Sequence, residues 1–212
     1  MSILYVSYPE SEDALAPKRR AQTMEENRAK LVSAGRRAFA ERGFTAASMD
    51  DLTADVGLTR GALYHNFGDK KGLLAAVVAQ VDGEMAERAR EAAAAALNDW
   101  DALIAEGAAY IEMALDPEVR RIVLLDGPAF LGDPSLWPSQ NACLEMTKQA
   151  VVKLVSAGML KRVDVEAAAR LLSGAALNAA LWVAASDEPQ AVLPKAVEVF
   201  SAMAAGLLAE GK

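Results

Sequence analysis

Cysteine and histidine are almost missing from this chain: 212 residues hold one of each, Cys143 and His65. One cysteine closes no intrachain disulfide, and one cysteine with one histidine supplies no ligand set for a structural zinc or iron–sulfur centre. No cofactor or metal is expected, and a chain without disulfides suits a reducing cytoplasm. Long apolar runs are missing too. The most apolar stretch, 171–185, spans 15 residues, is interrupted by Asn178 and falls below the ~18–20 needed to cross a bilayer, so it reads as a buried helix with no membrane partner. The opening MSILYVSYPESEDALAPKRR places its basic residues after its apolar stretch, the reverse of an export signal. No Glu-x-x-His, Gly-x-Ser-x-Gly, P-loop or dinucleotide-glycine pattern occurs, and His65 stands alone as an imidazole. An enzyme is therefore not expected. The chief rival reading, a helical-bundle enzyme or small-molecule carrier, has to do without paired catalytic groups.

What is present is a helical pattern. Hydrophobic residues make up 53% of the chain, Gly (14) and Pro (8) are few, and apolar positions recur at i, i+3 and i+4 with no β-branched run alternating at period two. The expected fold is all-α, with about nine helices, in one large or two modest domains. The formal net charge of -7 by itself argues against nucleic acid, since cations must replace the counterions around phosphates. Its distribution reverses that argument. Residues 17–72 hold 11 Lys and Arg against 7 Asp and Glu, a net of +4, which leaves -11 on the remainder.

Start and stop signals divide the chain. The polar, proline-bracketed stretch 7–17 reads as flexible, with structure starting after Lys18, so 1–23 is taken as a leader with a basic arm. A helix over 24–42, with Leu31, Val32, Ala34, Ala38 and Phe39 on one face, is stopped by Gly43. Ser48 caps a short helix through Val56 that Gly57 ends, and Thr59 caps another through Tyr64 that Gly68 interrupts. Asp69 caps a rod reaching Leu97, about 43 Å long at ~1.5 Å per residue. Residues 24–72 thus form one domain and 73–212 a second. In the second, helices are expected over 100–115, 117–125, 135–157, 165–185 and 191–208, with 127–135 as the clearest loop. Small residues in the last two helices, among them Ala167, Gly174, Ala175, Ala179, Ala204 and Ala205, let helix backbones approach closely, which makes this pair the expected homodimer contact.

Two short helices across a glycine turn give the geometry in which the second helix enters the major groove and the first spans the backbone. The second, over 59–66, displays Thr59, Arg60, Tyr64, His65 and Asn66, a mixture of base-edge and phosphate-binding groups. Plainer uses stand beside these. Phe67 packs as core, Tyr64 can do the same, and Ser48 caps whether or not it meets phosphate. Lys18, Arg19 and Arg20 form a cluster suited to the minor groove or a phosphate strand, or simply to solvent. A surface of this kind can also serve a protein partner.

The stretch GFTAASMDDLTADVGLTRGALYHNFGDKKGLL resembles, end to end, the signature of the TetR family of bacterial repressors. The likeness is strongest in Tyr64, Phe67 and Lys70 at steps of three, after the turn Gly57, Leu58, Thr59 and the hydroxyls of Thr45 and Ser48. The resemblance implies double-stranded operator DNA as partner, with phosphates held by Thr45, Ser48, Tyr64 and Lys70 and base edges approached by Thr59, Arg60, Gly61 and His65. It also implies a ligand-responsive regulator, a repressor released from its operator by a small, hydrophobic or weakly polar molecule. Residues 1–16 depart from the shortest family pattern. Beyond Leu97 the likeness thins to LLDGPAFLG and LNAALWVA. A cavity among the middle helices is implied, with Tyr110, Met113, Phe130, Trp137, Met146, Asn178 and Trp182 as candidate lining, each equally suited to ordinary core. Trp137, beside a loop, is expected to close a pocket mouth or meet a partner subunit.

Overall fold

The computed structural model describes residues 12–210, apart from the side chains of residues 12–18 and 142. Helix α1 (Glu12–Ala46) is broken at Gly43, where φ 76° and ψ 165° turn the backbone out of the helix, an angle that glycine adopts without a Cβ penalty. The helix begins at Glu12, not after Lys18 as expected. Glu12 and Asp13 suit a helix N-terminus, and Ala14, Leu15 and Ala16 are good helix formers that carry the chain into Pro17. Residues 1–11 of the expected leader, with their aromatics, lie outside the described residues.

Helices α2 (Met49–Ala54), α3 (Arg60–Phe67) and α4 (Lys70–Ala94) begin where the sequence placed their caps. The side chains of Ser48, Thr59 and Asp69 accept from the backbone N–H of Asp51, Ala62 and Gly72, satisfying donors that the helix itself leaves free. Helix α4 stops at Ala94 rather than Leu97 and spans about 37 Å for its 25 residues. Leu31, Phe39, Leu52, Leu63, Leu73 and Leu74 are fully buried and bind these four helices together.

The second half opens with α5 (Asp99–Glu112), capped by Asn98, and a 3-10 turn over Met113–Leu115. Short α6 (Pro117–Val119) leads into a seven-residue π-helical segment, Arg120–Asp126, which runs straight on into α7 (Gly127–Leu131). The loop expected at 127–135 is therefore helical through Leu131. Pro128 fits a first turn, where no N–H is needed, and Gly132 at φ 89° ends the helix. A 3-10 turn, Pro134–Leu136, then precedes α8 (Pro138–Ser156), α9 (Val165–Ala185) and α10 (Pro189–Ala205). The expected extension of α10 to Leu208 is replaced by a short antiparallel bridge between Leu208 and Leu160.

By length and composition α9 could cross a bilayer, being longer than the 171–185 run, yet Ala169, Ala176, Ala180, Val183 and Ala184 bury one side of it in this chain, as in a core helix. One hydrophobic cluster runs from Leu31 and Leu63 through Val81, Ile111 and Ile122 to Val183, so the DNA-ward helices and the second half share a core. A smaller cluster, including Leu103, Val151, Leu154 and Leu172, holds the far end of the bundle.

Candidate nucleic-acid interface and effector cavity

Arg60, Gly61, Tyr64 and His65 are all exposed, and their one-, three- and four-residue spacings put them on one side of α3. Leu63 is fully buried on the opposite side, which fixes the orientation of the helix. Tyr64 is 49% exposed and so stands out from the surface rather than packing. Thr59 is exposed while it caps the helix. Asn66 is turned back on its own helix, its amide donating to the Ala62 carbonyl at 2.8 Å. Phe67 is half-buried, with the Arg28 guanidinium 4.7 Å from its ring centroid.

The phosphate candidates converge around the turn that follows Gly43. The Lys70 ammonium donates to the Thr45 carbonyl at 3.3 Å and lies 4.6 Å from the Phe44 ring centroid. Partial burial lowers its pKa from the usual lysine value. Ser48 is half-buried at its cap, and Thr45 is exposed. Arg19 and Arg20 are exposed on α1, whereas the Lys18 side chain lies outside the described residues. Some of the positive charge is engaged internally. Arg60 Nε lies 3.1 Å from Asp50 Oδ1 and Arg42 3.5 Å from Asp51, both at the surface.

The second half holds this region from behind. The Phe44 N–H donates to Asp126 Oδ2 at 2.7 Å, and the Phe44 ring stacks at 4.3 Å on Phe130. Arg36 donates through two nitrogens to Glu84 of α4, at 2.6 and 2.7 Å, and through two to Glu118 of α6, both at 2.7 Å. These charge-assisted bonds push the guanidinium pKa far up and hold the Glu84 carboxyl below the usual range. Neither Asp126 nor Arg36 was foreseen, because their partners are remote in sequence.

A cavity of about 50 Å³ lies among α4, α5, α8, α9 and α10. Of the seven residues expected to line it, Tyr110 and Met146 do. Met113 is buried in the core, and Phe130 is taken up by Phe44. Trp137 is buried within its own chain, neither at the cavity wall nor on an exposed face. Its ring lies over Gly127, where a Cβ would come within 2.6 Å of Cη2, and its indole N–H has no partner among the described residues. Asn178 and Trp182 lie on the outer side of α9, where with Val199 and Met203 of α10 they line a shallow groove. Helix α9 has apolar residues on both sides, and its small residues are the ones drawn inward.

The cavity has a polar end. Gln140 Nε2 donates to both Asp82 oxygens, at 3.1 and 3.2 Å, and to the Tyr110 hydroxyl at 3.2 Å. Burial raises the pKa of the Asp82 carboxyl and of the Tyr110 hydroxyl. Glu106 lines the cavity and is raised by the same cause, while the Cys143 thiol is pushed up to about 11 and stays protonated near neutral pH. No cluster of metal-ligating side chains occurs among the described residues. Asp82, Glu106 and Gln140 escaped the sequence reading, although Asp82 sits in an otherwise apolar row with Val78, Met85 and Ala89.

Residues 31–77 match the family model for bacterial regulatory proteins of the tetR family, and 100–207 match the tetracyclin repressor-like C-terminal domain. A crystal structure of a TetR-family transcriptional regulator from Pectobacterium atrosepticum is 44% identical, covers 90% of this chain and 98% of that one, and superposes with a TM-score of 0.83. The TetC protein of transposon Tn10 from Escherichia coli is 28% identical over 68% of this chain and 73% of its own length. The transcriptional repressor AcnR of Corynebacterium efficiens is 37% identical, but over only 31% of this chain and 35% of that protein. Both halves of the chain and its geometry thus agree, and the chain belongs to the TetR family of bacterial transcriptional regulators.

Proposed function

We propose that the protein is a homodimeric operator-binding repressor, acting in the cytoplasm, that leaves its DNA when a small molecule enters the cavity among α4, α5 and α8–α10. The observation that carries the DNA reading is α3. Its exposed side offers Arg60, Tyr64 and His65, its inner side is locked by fully buried Leu63, and its first turn is capped by Thr59. Such a helix presents base-edge and phosphate groups on a rigid support, as groove reading requires. Thr45, Ser48 and Lys70 flank it as phosphate holders, and Thr59 and Gly61 allow close approach of the backbone.

Homodimer formation is supported by the outer side of α9 and α10. Leu171 is 74% exposed, Trp182 52% and Met203 62%, an apolar surface with small residues between them that a second copy would cover. Two copies joined there would carry two reading helices, which must stand about 34–36 Å apart, or a multiple of it, to enter grooves on one side of the duplex. The molecule binds rather than catalyses, and its effector works only through a difference in affinity for the DNA-bound and free states.

The test is a mobility shift of DNA upstream of the protein's own coding region, across salt concentrations, beside an unrelated fragment. Selective binding whose log affinity falls with log salt by about 0.9 per phosphate contact supports the reading. Binding no better than to the unrelated fragment at any salt counts against it.

A further inference from the structure

The charge inventory of the cavity is one-sided. Glu106 stands in its wall, and no donor among the described residues hydrogen-bonds its carboxylate. Asp82 lies behind Gln140 and Tyr110, its carboxylate held by the Gln140 amide. No Lys, Arg or His lines the space. Arg90, whose charge acts on Glu106, is exposed and paired with Glu87. The remaining walls are apolar, with Leu103, Met146, Leu172 and Phe200 among them.

We propose that the effector is a cation, a small molecule with an apolar body and a protonated amine, the amine seated against Glu106 and the body among Leu103, Met146, Leu172 and Phe200. This rests on the cavity being the effector site of the proposed regulator. An anion brought here would be desolvated beside two carboxylates with nothing to balance it, and a neutral molecule would leave Glu106 as poorly paired as before. An ammonium gives that carboxylate the hydrogen-bond donor and counter-charge it lacks, in a setting of low dielectric where the pair counts for more than in water. Burial raises the pKa of the Glu106 carboxyl, and a bound cation would draw it back down.

The size of the cavity adds a mechanical consequence. About 50 Å³ is less than the ~150 Å³ that accommodates a benzene ring, so a ring-bearing effector must push the walls apart. Met146 is unbranched and adaptable, and the Phe200 ring rests on Gly107, where even a Cβ would clash with it. Displacing Phe200 moves α10 against α5, so occupancy and helix position change together.

Benzylamine, benzyl alcohol and benzoate share one ring and differ in charge, and their affinities for the full-length protein are measured by calorimetry near neutral pH. The amine is expected to bind about tenfold or more tighter than the alcohol, with benzoate weakest. Glu106→Gln should bring the amine and alcohol to within about twofold of each other, and Glu106→Asp should keep part of the preference. Equal or tighter binding of the alcohol or benzoate, an undiminished amine preference in Glu106→Gln, or no amine binding up to solubility overturns the assignment. If Glu106→Gln does not fold, the ranking on the unaltered protein decides alone. Operator binding without any probe is measured separately. Its failure removes the repressor reading, whereas operator binding with the wrong ranking removes only the cation.

Discussion

The backbone N–H of Phe44 donates to the carboxylate of Asp126 at 2.7 Å, across a sequence separation of 82 residues. This one bond joins the turn beside the DNA-facing groups to the π segment of the second half. Phe44 is also the residue over which the Lys70 ammonium lies, and Trp137, three residues before Gln140 of the cavity's polar end, packs on Gly127 next to Asp126. Asp126→Ala removes the acceptor from a part-buried amide, a change worth about 1–3 kcal/mol. Hydrogen exchange at the Phe44 amide should then quicken by about tenfold or more, and operator affinity should fall with it. Unchanged exchange at Phe44 would show that the bond is not what holds the turn.

Arg60 and Asp50 make opposite predictions. Arg60→Ala should lower operator affinity by about 10- to 100-fold through loss of a base or phosphate contact. Asp50→Asn releases Arg60 from its partner at 3.1 Å and removes a negative charge from the contact surface. It should strengthen binding to specific and unrelated DNA alike, most visibly at low salt. Mobility shifts across a salt series check both, and an Asp50→Asn protein that binds DNA more weakly contradicts the picture.

Trp182→Arg puts a charge on the outer side of α9, where the indole is 52% exposed in one copy. The chain should still fold, since the residue is not core, while sedimentation should show the dimer weakened by more than about tenfold, as expected for loss of a central aromatic anchor. A dimer of unaltered strength would place the subunit contact elsewhere.

Asp82 gives a pH dependence. Its pKa is raised in the fold by burial, so its contribution to stability is fully present below the unfolded pKa and is lost as pH rises through the folded one. Above that, the ionised and buried carboxylate is a cost that Gln140 only partly offsets. Asp82→Asn keeps an acceptor for Gln140 and removes the charge. It should raise the melting temperature near neutral pH by about 2–4 °C, the response to ~1 kcal/mol in a chain of this size, and by less as the pH is lowered. An equal gain at every pH would mean that Asp82 does not titrate differently in the fold.

The features that the sequence disclosed are those made by near neighbours. Ser48, Thr59 and Asp69 each accept from an N–H three residues on, so the caps and the short helices between them follow from local chemistry. The exposed row on α3 follows from the same helical spacing once Leu63 is taken as core. What stayed hidden depends on partners far along the chain, as with Arg36 and Glu118 or Phe44 and Asp126, which no periodicity encodes. Asn178 and Trp182 were assigned to the cavity because α9 is apolar on two sides, and only packing against α5, α8 and α10 decides which side turns inward. The run Ile122, Val123, Leu124, Leu125 is apolar at every position, so its π winding left no mark in the pattern.

That winding also governs which insertions and deletions the gene can accept. A π turn holds an extra residue relative to an α turn, and losing one codon anywhere in Arg120–Asp126 would let the segment rewind as ordinary helix. Every position after the loss would rotate by ~100° about the axis. Asp126 would swing away from Phe44 and Gly127 from under Trp137, while the hydropathy of the segment stayed almost the same. Length in this stretch is therefore under tighter constraint than composition, and a single-residue gap here separates relatives that keep this junction from those that have rebuilt it.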